Sequence, residues 1–121
     1  MGRRIAVLAL TALAACASAP PDSPKIAIDL TNVNELGLRG RGTGLRSVHY
    51  EFCIPPEDRY AEEVRRIDAT AQLLPGIRGR IGCSGGQILV LGNTLQRDYL
   101  QVLDRLAALP YVSRIQEAHF E

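Results

Sequence analysis

Between residues 47 and 54 apolar and polar side chains alternate, with Val48, Tyr50, Phe52 and Ile54 on one parity and His49, Glu51 and Cys53 on the other. A period of two marks a strand with one buried face, and Pro55-Pro56 ends it. Beyond the prolines the spacing lengthens. Tyr60, Val64, Ile67, Ala71 and Leu74 recur every three or four residues, a helical stripe closed by Pro75-Gly76. Glu57 and Asp58 precede it, where a helix N-terminus favours negative charge. Residues 77–83 and 87–91 read as two strands joined through the hairpin signal Ser84-Gly85-Gly86. The second of these is apolar on both faces, as a central strand is. Asn93 or Thr94 is then placed to cap a second helix, whose buried stripe is Tyr99, Val102, Leu103, Leu106 and Leu109. Pro110 ends that helix, and residues 111–120 form a last strand.

The order is therefore β-α-β-β-α-β, and residues 45–121 are expected to form an α+β, ferredoxin-like sandwich: a four-stranded antiparallel sheet in the order 4-1-3-2, with two helices on one face and the other face open. Residues 37–44 hold Gly37, Gly40, Gly42 and Gly44, which makes persistent structure costly there. Residues 16–44 are accordingly expected to be a flexible linker, although Ile26, Ile28 and Leu30 alternate and permit a short extra strand over 25–31.

The first residues are of a different kind. Arg3 and Arg4 precede an apolar stretch over residues 5–13, which is the layout of a signal peptide. The stretch is too short for a membrane-spanning helix, which needs about 20 apolar residues. It ends in Leu13-Ala14-Ala15-Cys16, and this resembles the lipobox of bacterial lipoproteins. The resemblance implies removal of residues 1–15, lipid on Cys16 and attachment to a membrane through that lipid. Ala17, in place of the aspartate that holds such proteins at the inner membrane, implies the outer membrane with the domain facing the periplasm. The paired arginines also permit a twin-arginine export route.

With Cys16 taken by lipid, Cys53 and Cys83 remain in an oxidising compartment, and a disulfide between them is expected. Closing a loop of that length stabilises a fold by about 3–4 kcal/mol on the chain-entropy model. In a ferredoxin-like sheet the first two strands run parallel, so both cysteines reach the same edge. Simple alternation nevertheless puts Cys83 on the helix side and Cys53 on the open side, so a bridge requires a twist or bulge near Gly82.

Charge and chemistry narrow the function classes. Loss of Arg3 and Arg4 reduces the 14 Lys and Arg to 12 against 13 Asp and Glu. A near-neutral mature chain argues against a nucleic-acid partner, which requires concentrated positive charge. The serines at 47, 84 and 113 lie in no nucleophile elbow. An enzyme is not expected from so small a unit without a pocket-forming insertion. The open sheet face is the sharpest candidate site: neighbouring first and last strands would bring His49 and Glu51 near Glu117, His119 and Glu121. Two histidines with carboxylates hold zinc, copper or nickel when their donors converge within about 2.0–2.2 Å of one point; a solvated polar face is the plain alternative. No cofactor is otherwise implied.

Two further resemblances involve the C-terminal half. Residues 87–118, with Gln87-Ile-Leu-Val-Leu-Gly-Asn-Thr, a helix and then Leu109-Pro-Tyr-Val-Ser-Arg-Ile, look like the second half of a BON domain. That implies association with phospholipid or another envelope component. Residues 103–117 also resemble the end of subtilisin-type propeptide inhibitors, which implies a protease-inhibitory module. The expectation is thus a membrane-anchored, non-enzymatic binding module for an envelope protein or lipid, with metal binding at His49, Glu51, Glu117 and His119 or protease inhibition as alternatives.

Overall fold

Tyr50, Phe52 and Ile54 lose all contact with solvent in strand β4 (His49–Ile54), and the rest of the fold is arranged around them. The computed structural model describes Gly2 and residues 23–120; Gly2 apart, the expected signal peptide over 1–15 lies outside the described residues, as do Cys16 and Glu121. Before β4 come three two-residue strands, β1 (Ile26–Ala27), β2 (Leu38–Arg39) and β3 (Arg46–Ser47). After it come helix α1 (Asp58–Ile67), β5 (Gln72–Pro75), β6 (Ile88–Asn93), helix α2 (Tyr99–Ala107) and β7 (Ile115–Glu117). The architecture is α+β: a five-stranded sheet in the order β1-β7-β4-β6-β5 and a small two-stranded sheet of β2 and β3. Both helices pack on the side of Tyr50, Phe52 and Ile54 and contribute Ala61, Val64, Val102, Leu103 and Leu106 to a single core.

The sheet differs from an all-antiparallel four-stranded one. β4 pairs antiparallel with β6 and β7, and β5 antiparallel with β6, but β1 adds to β7 in parallel, which makes the sheet mixed. Part of the expected linker lies against the core, while residues 40–44 stay exposed. Ile26, Ile28, Leu30 and Val33 pack on the core. Gly37 is buried with φ +77° against Thr94, so close that a Cβ would come within 1.8 Å of the Thr94 carbonyl oxygen. The Thr94 hydroxyl donates to the Gly37 carbonyl (2.5 Å) and accepts the Val48 N–H (2.9 Å), fastening this strap to the sheet. Thr94 is therefore not a helix cap, and neither is Asn93, whose side chain accepts the Leu95 N–H; α2 starts after Asp98.

The second strand begins earlier than expected. Ala71 and Leu74 fit the stripe of α1, yet the helix stops at Ile67, because the Asp68 carboxylate accepts both the backbone N–H (2.9 Å) and the hydroxyl (2.6 Å) of Thr70. Such a local side-chain turn competes with helical hydrogen bonding. The chain is then free to extend as β5, with Leu73 and Leu74 opposite Val90 and Leu89. Residues 76–87 become a long loop in place of a strand and hairpin.

That loop carries Cys83 back to β4. The Cys53–Cys83 disulfide is present, with Cα atoms 5.6 Å apart. The parity conflict disappears because Cys83 belongs to no strand, and Gly79 and Gly82, both with positive φ, let the loop turn over the sheet.

Candidate functional site

The face of the sheet opposite the helices carries His49, Glu51 and Cys53 from β4. Residues 76–87 cover its middle. Glu51 is only 4% exposed and accepts the Ile81 N–H (2.6 Å) and the Gln116 side-chain amide (3.1 Å). A Cβ on Gly79 would lie 3.0 Å from the same carboxylate, so the loop backbone passes directly over it. A buried carboxylate needs such donors to offset its lost hydration. Glu51 is thus committed to holding the loop down.

The register of β7 redistributes the remaining candidates. Gln116 stands opposite Glu51 and Glu117 opposite Tyr50, one residue away from the pairing that would gather His49, Glu51, Glu117 and His119 on one face. The cause is Ile115, which is fully buried and commits its parity, shared with Glu117, to the core side. The Glu117 carboxylate is held by both terminal nitrogens of Arg39, one at 3.4 Å and the other closer. That pairing raises the Arg39 pKa above its ordinary value. Among the described residues no three His, Cys, Asp or Glu side chains converge as a metal would require.

The part of the face left uncovered is the end where β4 begins. Phe120 is 64% exposed and meets the His49 ring edge to face, with centroids 5.2 Å apart. Two cavities adjoin this pair. One, of about 240 Å³, lies toward Thr70, Gln72 and Asn93. The other, of about 350 Å³, lies toward Arg39, Arg46, Glu117 and His119. The two share His49 and Phe120 in their linings and are together termed the cleft, with a neutral polar side and a side lined by two arginines and Glu117.

A buried polar cluster underlies the cleft. Asp68, 1% exposed, accepts the Tyr50 hydroxyl (2.5 Å), the Gln96 amide (3.0 Å) and both donors of Thr70. Burial, reinforced by the Asp68 charge, pushes the Tyr50 phenol well above the ordinary tyrosine range. Tyr50 therefore remains a neutral donor and is no base. The alternation and stripes of the sequence did not reveal this cluster, since Tyr50 counts simply as apolar and Gln96 belongs to no stripe. Gly92 was the available signal: a glycine inside a strand marks a close approach. A Cβ there would come 2.5 Å from the Tyr50 ring and 2.7 Å from the Asp68 carboxylate.

The cleft and the entry of the described chain are at opposite ends of the sheet. β1 and β7 run in parallel, so Ser23 lies at the end where β7 begins, and the cleft at the end where β7 leaves. Lys25 confirms the placement by donating to the carbonyl of Leu109, just past the C-terminus of α2. No helix among the described residues is long and apolar enough to cross a membrane. No protein-family model, curated protein or solved structure matches this chain.

Proposed function

We propose that this chain is a lipid-anchored protein of the bacterial envelope, facing the periplasm from the outer membrane, whose folded part binds a protein or other envelope component without catalysing a reaction. In this view the folded part is a ferredoxin-like unit extended by β1, and the partner engages the cleft around His49 and Phe120. The observation that carries the binding role is Phe120: a large aromatic ring exposed beside two cavities, on a face otherwise closed by loop 76–87. Exposed aromatics at the centre of a concave surface are favoured anchors for partners. The anchoring role rests on the basic start, the apolar run and Ala14-Ala15-Cys16.

Geometry supports the combination. Seven residue steps separate Cys16 from Ser23, and at about 3.5 Å per residue they span at most roughly 25 Å. The cleft sits at the far end of the sheet from that attachment, so it is presented away from the lipid.

The test has two arms. Radiolabelled palmitate should enter the protein in cells, and Cys16→Ser should abolish the label and release the protein from the membrane fraction; retention of the Cys16→Ser protein would refute lipid anchoring. A photo-crosslinking amino acid at position 119 should give a discrete adduct in intact cells, lost with Phe120→Asp, whereas the same probe at Glu62 on the exposed side of α1 should give none. Equal or absent adducts at both positions would refute the cleft as the binding surface.

A further inference from the structure

We infer that the arginine-lined side of the cleft is a site for a phosphate ester, with Arg46 and Arg39 gripping the phosphate and Phe120 receiving the organic part; this rests on the binding role proposed above. The carrying observation is the register of the small ribbon. Arg39 of β2 stands directly opposite Arg46 of β3. Side chains so paired have Cβ atoms about 5 Å apart, and like charges in that position oppose each other. Glu117 pairs with Arg39, and among the described residues no carboxylate pairs with Arg46. Gly40 fixes the arrangement: with φ +134° it sits so close to Gly44 that a Cβ would lie 2.4 Å from the Gly44 carbonyl oxygen, which closes the turn and holds the arginines side by side.

Both arginines line the 350 Å³ cavity, and His49 and His119 line it too. Among the described residues Arg46 has no ion-pair partner, and beside it stand Arg39, held on one side by Glu117, and two imidazoles that can donate hydrogen bonds, a donor set suited to an anion with several oxygens. Phosphate fits better than a carboxylate, because its oxygens point in several directions and can meet donors from separate residues, while Glu117 already supplies the planar carboxylate that matches one arginine fork. At about 350 Å³ the cavity has room for more than a bare phosphate. The remaining space borders Phe120, so the ligand carries an apolar or planar group.

The probes are inorganic phosphate and phenyl phosphate, titrated into the mature chain (residues 16–121, Cys16→Ser) at constant ionic strength and followed by amide chemical shifts. Saturable shifts should cluster at residues 39–49 and 117–120, and phenyl phosphate should bind more tightly. Arg46→Gln should weaken both probes about tenfold, the value of one charge-assisted hydrogen bond. The same variant should leave the unliganded melting temperature unchanged or raised, since it removes repulsion from Arg39. Arg65→Gln, on the exposed side of α1, should leave affinity unchanged. Phe120→Ala should weaken phenyl phosphate and spare inorganic phosphate.

Vesicles distinguish the source. Binding to phosphatidylglycerol but not phosphatidylcholine vesicles, lost with Arg46→Gln, would make the ester a lipid headgroup; response to phenyl phosphate alone, expected from the cleft's position opposite the tether, would make it a soluble ester. No saturable shift with either probe and no vesicle binding, or shifts indifferent to Arg46→Gln, would overturn the phosphate site. Crosslinks at position 119 that persist in that event would leave the binding role standing, so the two failures are separable.

Discussion

Replacing Tyr50 by phenylalanine removes one oxygen from the bottom of the cleft and should reveal its electrostatic role through pH. The phenol donates to Asp68 at 2.5 Å and receives the Gln96 amide at 3.2 Å, while the ring stays packed over Gly92. A hydrogen bond to a charged group contributes about 1.5–3 kcal/mol, so Tyr50→Phe should cost about 2 kcal/mol near pH 8. Burial raises the phenol's folded-state pKa, so its contribution is complete below the unfolded-state value of about 10 and falls as pH rises above it. One pH unit above that value, the unfolded chain gains about 1.4 kcal/mol by ionising Tyr50, which the folded protein cannot match. The phenylalanine variant lacks this loss. The stability gap between the two proteins should therefore shrink from about 2 kcal/mol at pH 8 to under about 1 kcal/mol at pH 11. Tyr99 and Tyr111 also titrate above their ordinary range because of burial, but they are present in both proteins and cancel. Urea unfolding followed by circular dichroism at the two pH values measures the gap. A gap that stays constant or widens would refute the buried, neutral donor.

Two further perturbations address the elements that shape the face and the strap. Replacing Cys53 and Cys83 by serine should cost about 3–4 kcal/mol in thermal or denaturant unfolding, and hydrogen exchange of the Ile81 amide, protected by Glu51, should accelerate more than that of Val90 in β6. Gly37→Ala places a Cβ 1.8 Å from the Thr94 carbonyl oxygen at a backbone angle that disfavours it, so the strap should detach, with a loss of about 2 kcal/mol or more and protease cleavage concentrated in residues 30–46. Unaltered cleavage in that segment would show that Thr94 does not fasten it.

The parts of the fold that were legible in sequence are those in which one period runs uninterrupted through contact with the core. β4 and α2 follow directly from Tyr50, Phe52 and Ile54 and from Tyr99, Val102, Leu103 and Leu106, all buried. β5 escaped because Ala71 and Leu74 satisfy a helical period as well as an extended one, and a four-residue strand offers too few positions to discriminate. The deciding element was Asp68, whose carboxylate draws the Thr70 N–H away from the helix and ties the turn to Tyr50, eighteen positions earlier. The strap was half legible: Ile26 and Ile28 alternate, but their partner strand lies nearly ninety residues downstream at Ile115, beyond any local period. In the site, a single buried isoleucine decided the outcome. A strand's side chains alternate, so committing Ile115 to the core sends Glu117 to Arg39 and takes Glu117 and His119 off the face that carries His49 and Glu51.

These departures have a common consequence for function. A sheet with helices on one side has two exposed regions at which to bind something, its free face and its ends. Here the middle of the free face is closed by a covalent bridge, by a buried carboxylate that receives the Ile81 N–H and the Gln116 amide, and by glycine turns in the loop. Such a cover conceals a potential surface and stabilises the fold. The ribbon of β2 and β3 does the reverse. It sets two arginines opposite each other at a cost in repulsion, beside an aromatic ring left in solvent, on a strap that is itself fastened by Thr94. A ligand that neutralised Arg46 would relieve a repulsion already present, which offsets part of the cost of ordering that exposed side chain.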